Sequence, residues 1–197
     1  MKLIRLHDTN ILDTADILAE ILNYDGAVAL VPTETVYGLI ARAGDKKAAE
    51  RIFELKHRHS AKRLGWFVHD WRMLESFGVD LSGLPEKLAE TYCPGPLTII
   101  APCADGSTQG FRVPDSPLLA ELLKKIGHPL VQTSANASGM PDARSCLEAL
   151  SQLDGEVDCA VDGGAIPDDA CGSTVADATG ERIKILRQGP IDLQKWV

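Results

Sequence analysis

Ala27-Val28-Ala29-Leu30-Val31 runs directly into Pro32-Thr33-Glu34-Thr35, and the rest of the chain reads outward from this stretch. Five consecutive apolar residues stopped by a proline have the length of a strand, not of a core helix. A polar, hydroxyl-bearing loop through Gly38 is expected to follow. Upstream, Ile11, Ala15, Leu18, Ala19 and Leu22 fall on one face of a helix over residues 11–23, closed by Gly26. Downstream, Asp45 is placed to cap a helix that turns Ala48, Ala49, Ile52 and Phe53 inward. Further strands are expected at 64–68, 97–101, 111–113, 130–133 and 157–161, with a hairpin joining 174–177 to 183–186 across Thr179-Gly180. Helices are expected at 85–92, at 118–126 after the cap Ser116, and at 144–153. Short strands interleaved with helices, too few for a strict βαβ repeat, point to an α/β domain with a mixed, twisted sheet. The passage from apolar strand to small polar loop recurs at Ser134-Ala135-Asn136 and Gly172-Ser173-Thr174. Several such loops at strand ends are what a binding cleft needs.

The chain has 197 residues, which corresponds to one domain. It carries 20 Lys and Arg against 28 Asp and Glu, for a net charge of −8. The pI of 5.1 excludes a polybasic nucleic-acid binder, for which values above about 9 are usual. A hydrophobic fraction of 45% excludes a disordered chain. The first residues, Met1 to Asp8, lack the apolar core of a secretory signal, and no apolar run approaches the roughly 20 residues of a membrane span. The five cysteines form no Cys-x-x-Cys pair, which fits a reducing cytoplasm and speaks against a structural zinc site. Without a signal peptide, Asn136-Ala137-Ser138 is not read as a glycosylation site, so Asn136 needs another explanation.

The common nucleotide and hydrolase motifs are absent: no P-loop, no dinucleotide fingerprint, no His-Glu-x-x-His and no Gly-x-Ser-x-Gly. What stands out is Lys56-His57-Arg58-His59-Ser60-Ala61-Lys62-Arg63, a dense basic run in an acidic chain. It is either a solvated helix end, where cations are favoured, or a site for a polyanion such as a triphosphate. Arg112, between Phe111 and Val113 in an expected strand, is either an edge residue facing water or a functional charge. Arg187, ahead of Gly189-Pro190, presents the same choice.

Taken in order, Pro32-Thr33-Glu34-Thr35-Val36-Tyr37-Gly38-Leu39, Lys56-His57-Arg58, Cys93-Pro94-Gly95-Pro96-Leu97-Thr98, Arg112-Val113-Pro114, Thr133 to Gly139, Asp162-Gly163-Gly164, Ser173-Thr174-Val175 and Leu186-Arg187-Gln188-Gly189 resemble the motif series of the YrdC-like family. The resemblance runs from about residue 10 to residue 191. It implies that residues 1–197 form a single YrdC-like catalytic domain, a twisted α/β fold around a large open cavity. It also implies an activity: condensation of L-threonine, bicarbonate or CO2, and ATP into threonylcarbamoyl-AMP and pyrophosphate. A separate protein complex would then transfer the threonylcarbamoyl group to tRNA.

By the same resemblance, Lys56 and Arg58 are expected to be catalytic, holding phosphates and carbamate. Arg58, Lys62, Thr108, Ser134, Asn136 and Arg187 are expected to bind ATP. Thr35, Arg112 and Ser173 are expected to bind threonine, with Arg112 pairing to its carboxylate. Magnesium is expected to come with the triphosphate, without a dedicated protein cage. The chain departs from the family at His59, where Pro is usual, and at Arg63, where Pro or Gly is usual. Rival classes are a diverged paralogue acting as an RNA-binding or translation-associated factor, and a carbamoyl-adenylate enzyme using carbamoyl phosphate. The acidic balance and sparse aromatics oppose the first, and the missing zinc-finger and acylphosphatase segments oppose the second.

Overall fold

The computed structural model describes residues 1–57 and 63–197. Among them, ten strands form one mixed sheet in the order β1-β8-β2-β3-β7-β4-β6-β5-β9-β10. The stretch that opened the sequence reading becomes β2 (Ala29–Val31), near the middle of the first half of the sheet. It pairs antiparallel with β3 (Gly38–Arg42) and parallel with β8 (Cys159–Asp162). β1 (Lys2–Arg5) closes that edge against β8. In the second half, β7 (Leu130–Ser134) pairs with both β3 and β4 (Gly65–Phe67). β6 (Thr108–Arg112), β5 (Leu97–Pro102), β9 (Thr174–Asp177) and β10 (Lys184–Arg187) follow. The expected 174–186 hairpin is present as the antiparallel β9–β10 pair.

Two strands had no counterpart in the sequence reading. After the loop through Gly38 comes β3, whose Leu39, Ile40 and Ala41 are buried on both faces, so the strand shows no apolar alternation. The N-terminal residues, read only for the lack of a signal, form the edge strand β1.

The helices start where side chains can satisfy their free N–H groups. Asn10 caps α1 (Ile11–Leu22), Asp45 caps α2 (Lys46–Leu55), Ser116 caps α4 (Pro117–Ile126) and Ser145 caps α5 (Cys146–Gln152). α3 (Leu84–Tyr92) begins instead with Pro85 at its first turn. Helices α1 and α4 cover one face of the first half of the sheet, where Leu18, Leu22, Leu119 and Leu122 pack on Ala29, Val31, Ile40 and Phe67. Helices α2 and α5 cover the other face, where Ile52, Leu55 and Ala149 pack on Leu30, Leu39 and Val131. A third core joins α3 and the 3-10 turn Trp71–Phe77 to Leu97, Ile99, Phe111 and Ala176 of the second half. These core residues alternate along β5 and β6 with residues of the opposite face, and that opposite face carries the site.

Candidate functional site

Alternate residues of four adjacent strands floor a cavity of about 430 Å³. β4 contributes Gly65 and Phe67, β6 contributes Thr108, Gly110 and Arg112, β5 contributes Thr98 and Ile100, and β7 contributes Gln132 and Ser134. The middle of the floor is deep because two neighbouring positions lack side chains. A Cβ on Gly65 would lie 2.7 Å from Gln132 Nε2 and 3.7 Å from the Gly110 carbonyl oxygen. The loops 33–38 and 172–173 and the side chain of Arg187 complete the wall.

At one corner the expected threonine residues converge. Arg112 is 3% exposed, yet it is not an edge residue facing water. Its Nη2 lies 2.6 Å from Glu34 Oε1 and donates to Thr35 Oγ1 at 3.1 Å, and its Nε donates to Glu34 Oε1 at 3.2 Å. The guanidinium also sits over the Phe67 ring, 5.2 Å from its centroid. Burial draws its pKa down, Glu34 opposes that shift, and the Arg187 charge adds to it, so the two guanidiniums sense each other. Thr35 is held in place by Thr33, whose Oγ1 accepts from the backbone N–H of Thr35 and of Val36, each at 3.1 Å. Ser173 Oγ lies 2.8 Å from Thr98 Oγ1. Arg187 donates from Nε to the Ser173 carbonyl at 2.9 Å and from Nη2 to Ser173 Oγ at 3.1 Å. Gly172 leaves room for this approach: a Cβ there would stand 3.0 Å from the Arg187 guanidinium, which would have to shift. Arg187, expected on the nucleotide side, is thus anchored on a residue of the threonine side.

At the other corner Ser134 and Thr108 line the cavity, whereas Asn136 and Lys56 lie behind the wall. Lys56 is 3% exposed. Its ammonium donates to the Ser134 carbonyl, to the Asn136 carbonyl at 2.5 Å and to Asn136 Oδ1 at 3.3 Å. Ser134 Oγ also donates to Asn136 Oδ1, at 2.6 Å, and Asn136 Nδ2 donates to the Met140 carbonyl at 2.6 Å. Lys56 and Asn136 therefore shape the turn that presents Ser134. Arg63 lines the cavity and donates to the Thr108 carbonyl at 2.6 Å. The expected site residues Arg58 and Lys62, and the departure His59, lie outside the described residues. The two corners are joined through Tyr37. Its carbonyl accepts from Ala135 N–H at 2.8 Å, and its hydroxyl donates to the Gly164 carbonyl at 2.7 Å and accepts from Gly163 N–H at 3.0 Å. Burial pushes the Tyr37 phenol up to about 12.

Sequence reasoning assigned no role to Glu34, Gln132, Gly65 or Gly110. Period-two spacing from Ser134 and Arg112 would have found the last of these and Gln132, since residues two apart on a strand share a face. Among the described residues, no Asp or Glu lines this cavity and no cluster of three or more His, Cys, Asp or Glu could hold a metal. Also among them, no helix is long and apolar enough to cross a membrane.

This architecture has known counterparts. The family model described as "Telomere recombination" (Sua5, YciO, YrdC) matches residues 21–189, and the chain belongs to that family. A threonylcarbamoyl-AMP synthase of Pyrococcus abyssi is 32% identical over 180 residues, which cover 87% of this chain and 53% of that protein. The chain thus spans about half the length of that relative. The structure of P. abyssi Sua5 complexed with L-threonine superposes with a TM-score of 0.82 at 30% identity, covering 98% of this chain and 58% of that one. Escherichia coli YciO matches with a TM-score of 0.85 over 100% of this chain and 98% of its own, at 24% identity, a likeness of fold.

Proposed function

We propose that this chain makes threonylcarbamoyl-AMP from L-threonine, bicarbonate or CO2, and ATP, releasing pyrophosphate. The observation that carries the reading is one cavity with two differently equipped corners. One has a buried guanidinium flanked by Thr35 and Ser173 hydroxyls, and the other has Ser134 and Thr108 beside Arg63. The first suits an amino-acid carboxylate and the second suits phosphate or ribose oxygens. The relative of P. abyssi bears the name of this activity, and its structure with L-threonine supports an amino-acid corner.

The chemistry asks little covalent work of the protein. The threonine amine attacks the carbon of CO2 with loss of a proton, or of bicarbonate with loss of water, and the resulting carbamate oxygen attacks the α-phosphorus while pyrophosphate leaves. Holding both substrates in one cavity makes these steps effectively intramolecular. Arg112 and Thr35 orient the amino acid, Ser134 and Thr108 face the nucleotide, and Arg187 bridges the two through Ser173. Arg58 and Lys62 are assigned to the phosphates with them. Lys56 and Asn136 act by setting the Ser134 turn and by their charge and dipole behind it. Magnesium would be carried by the phosphates and water, because the cavity offers hydroxyls and carbonyls instead of a carboxylate cage. Bound there, it would neutralise phosphate charge. The product suits a transferase complex acting on tRNA, and this reading places the activity in the cytoplasm, with residues 1–197 as one catalytic domain. A cavity of this size is a small-molecule pocket and does not favour the RNA-binding alternative.

The test is pyrophosphate release by purified protein with ATP and magnesium. Release is expected only when threonine and bicarbonate are both present. Equal release with serine in place of threonine, or in bicarbonate-free buffer, would overturn the assignment.

A further inference from the structure

Glu34 sits on the loop between β2 and β3, beside the cavity and not in it. Its Oε1 accepts from Arg112 Nε and from the backbone N–H of Asp115, and lies 2.6 Å from Arg112 Nη2 in an ion pair. Its Oε2 is buried and has no hydrogen-bond partner. A carboxylate buried with an unused oxygen is costly, and structures retain such groups where they serve a purpose. Here the carboxylate does two things to one guanidinium. It fixes the orientation of the Arg112 fork by accepting from Nε and pairing with Nη2, and it balances the charge. A buried guanidinium without a counter-ion would attract any small carboxylate, whereas a paired one is electrically neutral as a unit.

We infer that Glu34 is the positioning and charge-balancing residue of the amino-acid corner, and that it makes the corner selective for a zwitterion over a bare carboxylate. A bare carboxylate brought to the Arg112–Glu34 pair meets the negative charge of Glu34 as well as the positive charge of Arg112. An α-amino acid brings an ammonium that the same negative charge favours. The selectivity comes from the pair, while the contact with ligand is made by Arg112 and Thr35. The inference rests on the proposed threonine-binding function, and it names a residue outside the expected threonine set of Thr35, Arg112 and Ser173.

The experiment compares wild type with Glu34→Gln, which keeps the shape and an acceptor for Arg112 but removes the charge. Calorimetry without turnover measures the affinity for L-threonine and for 3-hydroxybutyrate, the same skeleton without the amine. In the variant, the preference for threonine over 3-hydroxybutyrate is expected to fall at least fivefold, with the KM for threonine raised and kcat changed less. Glu34→Asp, which restores the charge, is expected to recover part of the preference. A purely structural role would weaken both ligands together and leave the preference within twofold of wild type, and that result overturns the inference. If wild type binds no threonine at all, the functional reading fails as well, so the two failures are distinguishable.

Discussion

Arg112 and Lys56 are equally buried, each 3% exposed, and they serve different corners of one cavity. Their partners differ in kind. Arg112 meets a carboxylate, Glu34, which fixes it and balances its charge. Lys56 meets the carbonyls of Ser134 and Asn136 and the Asn136 side-chain oxygen, which are neutral acceptors. These acceptors hold the ammonium against the Ser134 turn, where the nucleotide is assigned. The contrast matches the proposed ligands: the nucleotide corner uses its cation to shape the turn that faces the phosphates, and an amino acid, neutral overall, suits a balanced pair.

The strongest way to break this contrast is at Arg112. Arg112→Ala removes the guanidinium assigned to the amino acid and leaves Glu34 without its counter-ion. Threonine-dependent pyrophosphate release is expected to fall at least ~100-fold, the order of a lost charge-assisted positioning contact. Urea denaturation should show a loss of about 3–5 kcal/mol, the usual cost of orphaning one partner of a buried pair. The double variant Arg112→Ala with Glu34→Ala is expected to regain part of the stability and none of the activity. Stability unchanged in the single variant would mean that the pair is not an energetic unit.

Lys56 gives the next effect. Because its ammonium satisfies two backbone carbonyls, Lys56→Ala is expected to reduce stability as well as turnover. This differs from a residue whose only task is to touch phosphate. The expected cost is about 2–4 kcal/mol, for several charge-assisted bonds lost at a buried turn. The KM for ATP should rise more than the KM for threonine. If both KM values rise equally, the two corners are not separately equipped.

The sequence disclosed one part of this contrast and hid the other. The hydroxyl-rich loops at 33–35, 134–136 and 172–174 were visible as punctuation after apolar strands, because strand and loop chemistry are local. The grouping of Thr35, Arg112 and Ser173 was expected from motif resemblance, and β6 with the loops 33–38 and 172–173 brings all three to one cavity. The partner of Arg112 was not legible: Glu34 lies 78 residues away in sequence, and no local pattern encodes that pairing. Lys56 stood out as one cation of a basic run, yet its ammonium ends among carbonyls behind the wall. Composition registers the charge and not its burial. Strand β3 escaped for a related reason, since a strand covered on both faces has no alternation to read.

The smallest expected effect tests whether the corners are mechanically joined. Tyr37 ties the loop carrying Thr35 to the Ser134 turn through its carbonyl, and to Gly163 and Gly164 through its hydroxyl. Tyr37→Phe removes only the hydroxyl and leaves the Gly163 N–H without that acceptor, a change expected to cost about 1 kcal/mol. Joined corners require that the KM values for threonine and ATP both rise slightly, about twofold; movement of one alone would show the corners to be independent. The pH dependence supplies a second readout. Burial raises the phenol from its ordinary 10.0 to about 12 in the folded protein. A raised pKa means that the folded state holds this proton more tightly. The stability it contributes is complete below pH 10 and is lost as pH rises through 12. Urea midpoints measured from pH 9 to pH 12 should therefore converge between wild type and Tyr37→Phe at the alkaline end. A gap that stays constant across that range would show that the hydroxyl is not held by the fold in the way its contacts require.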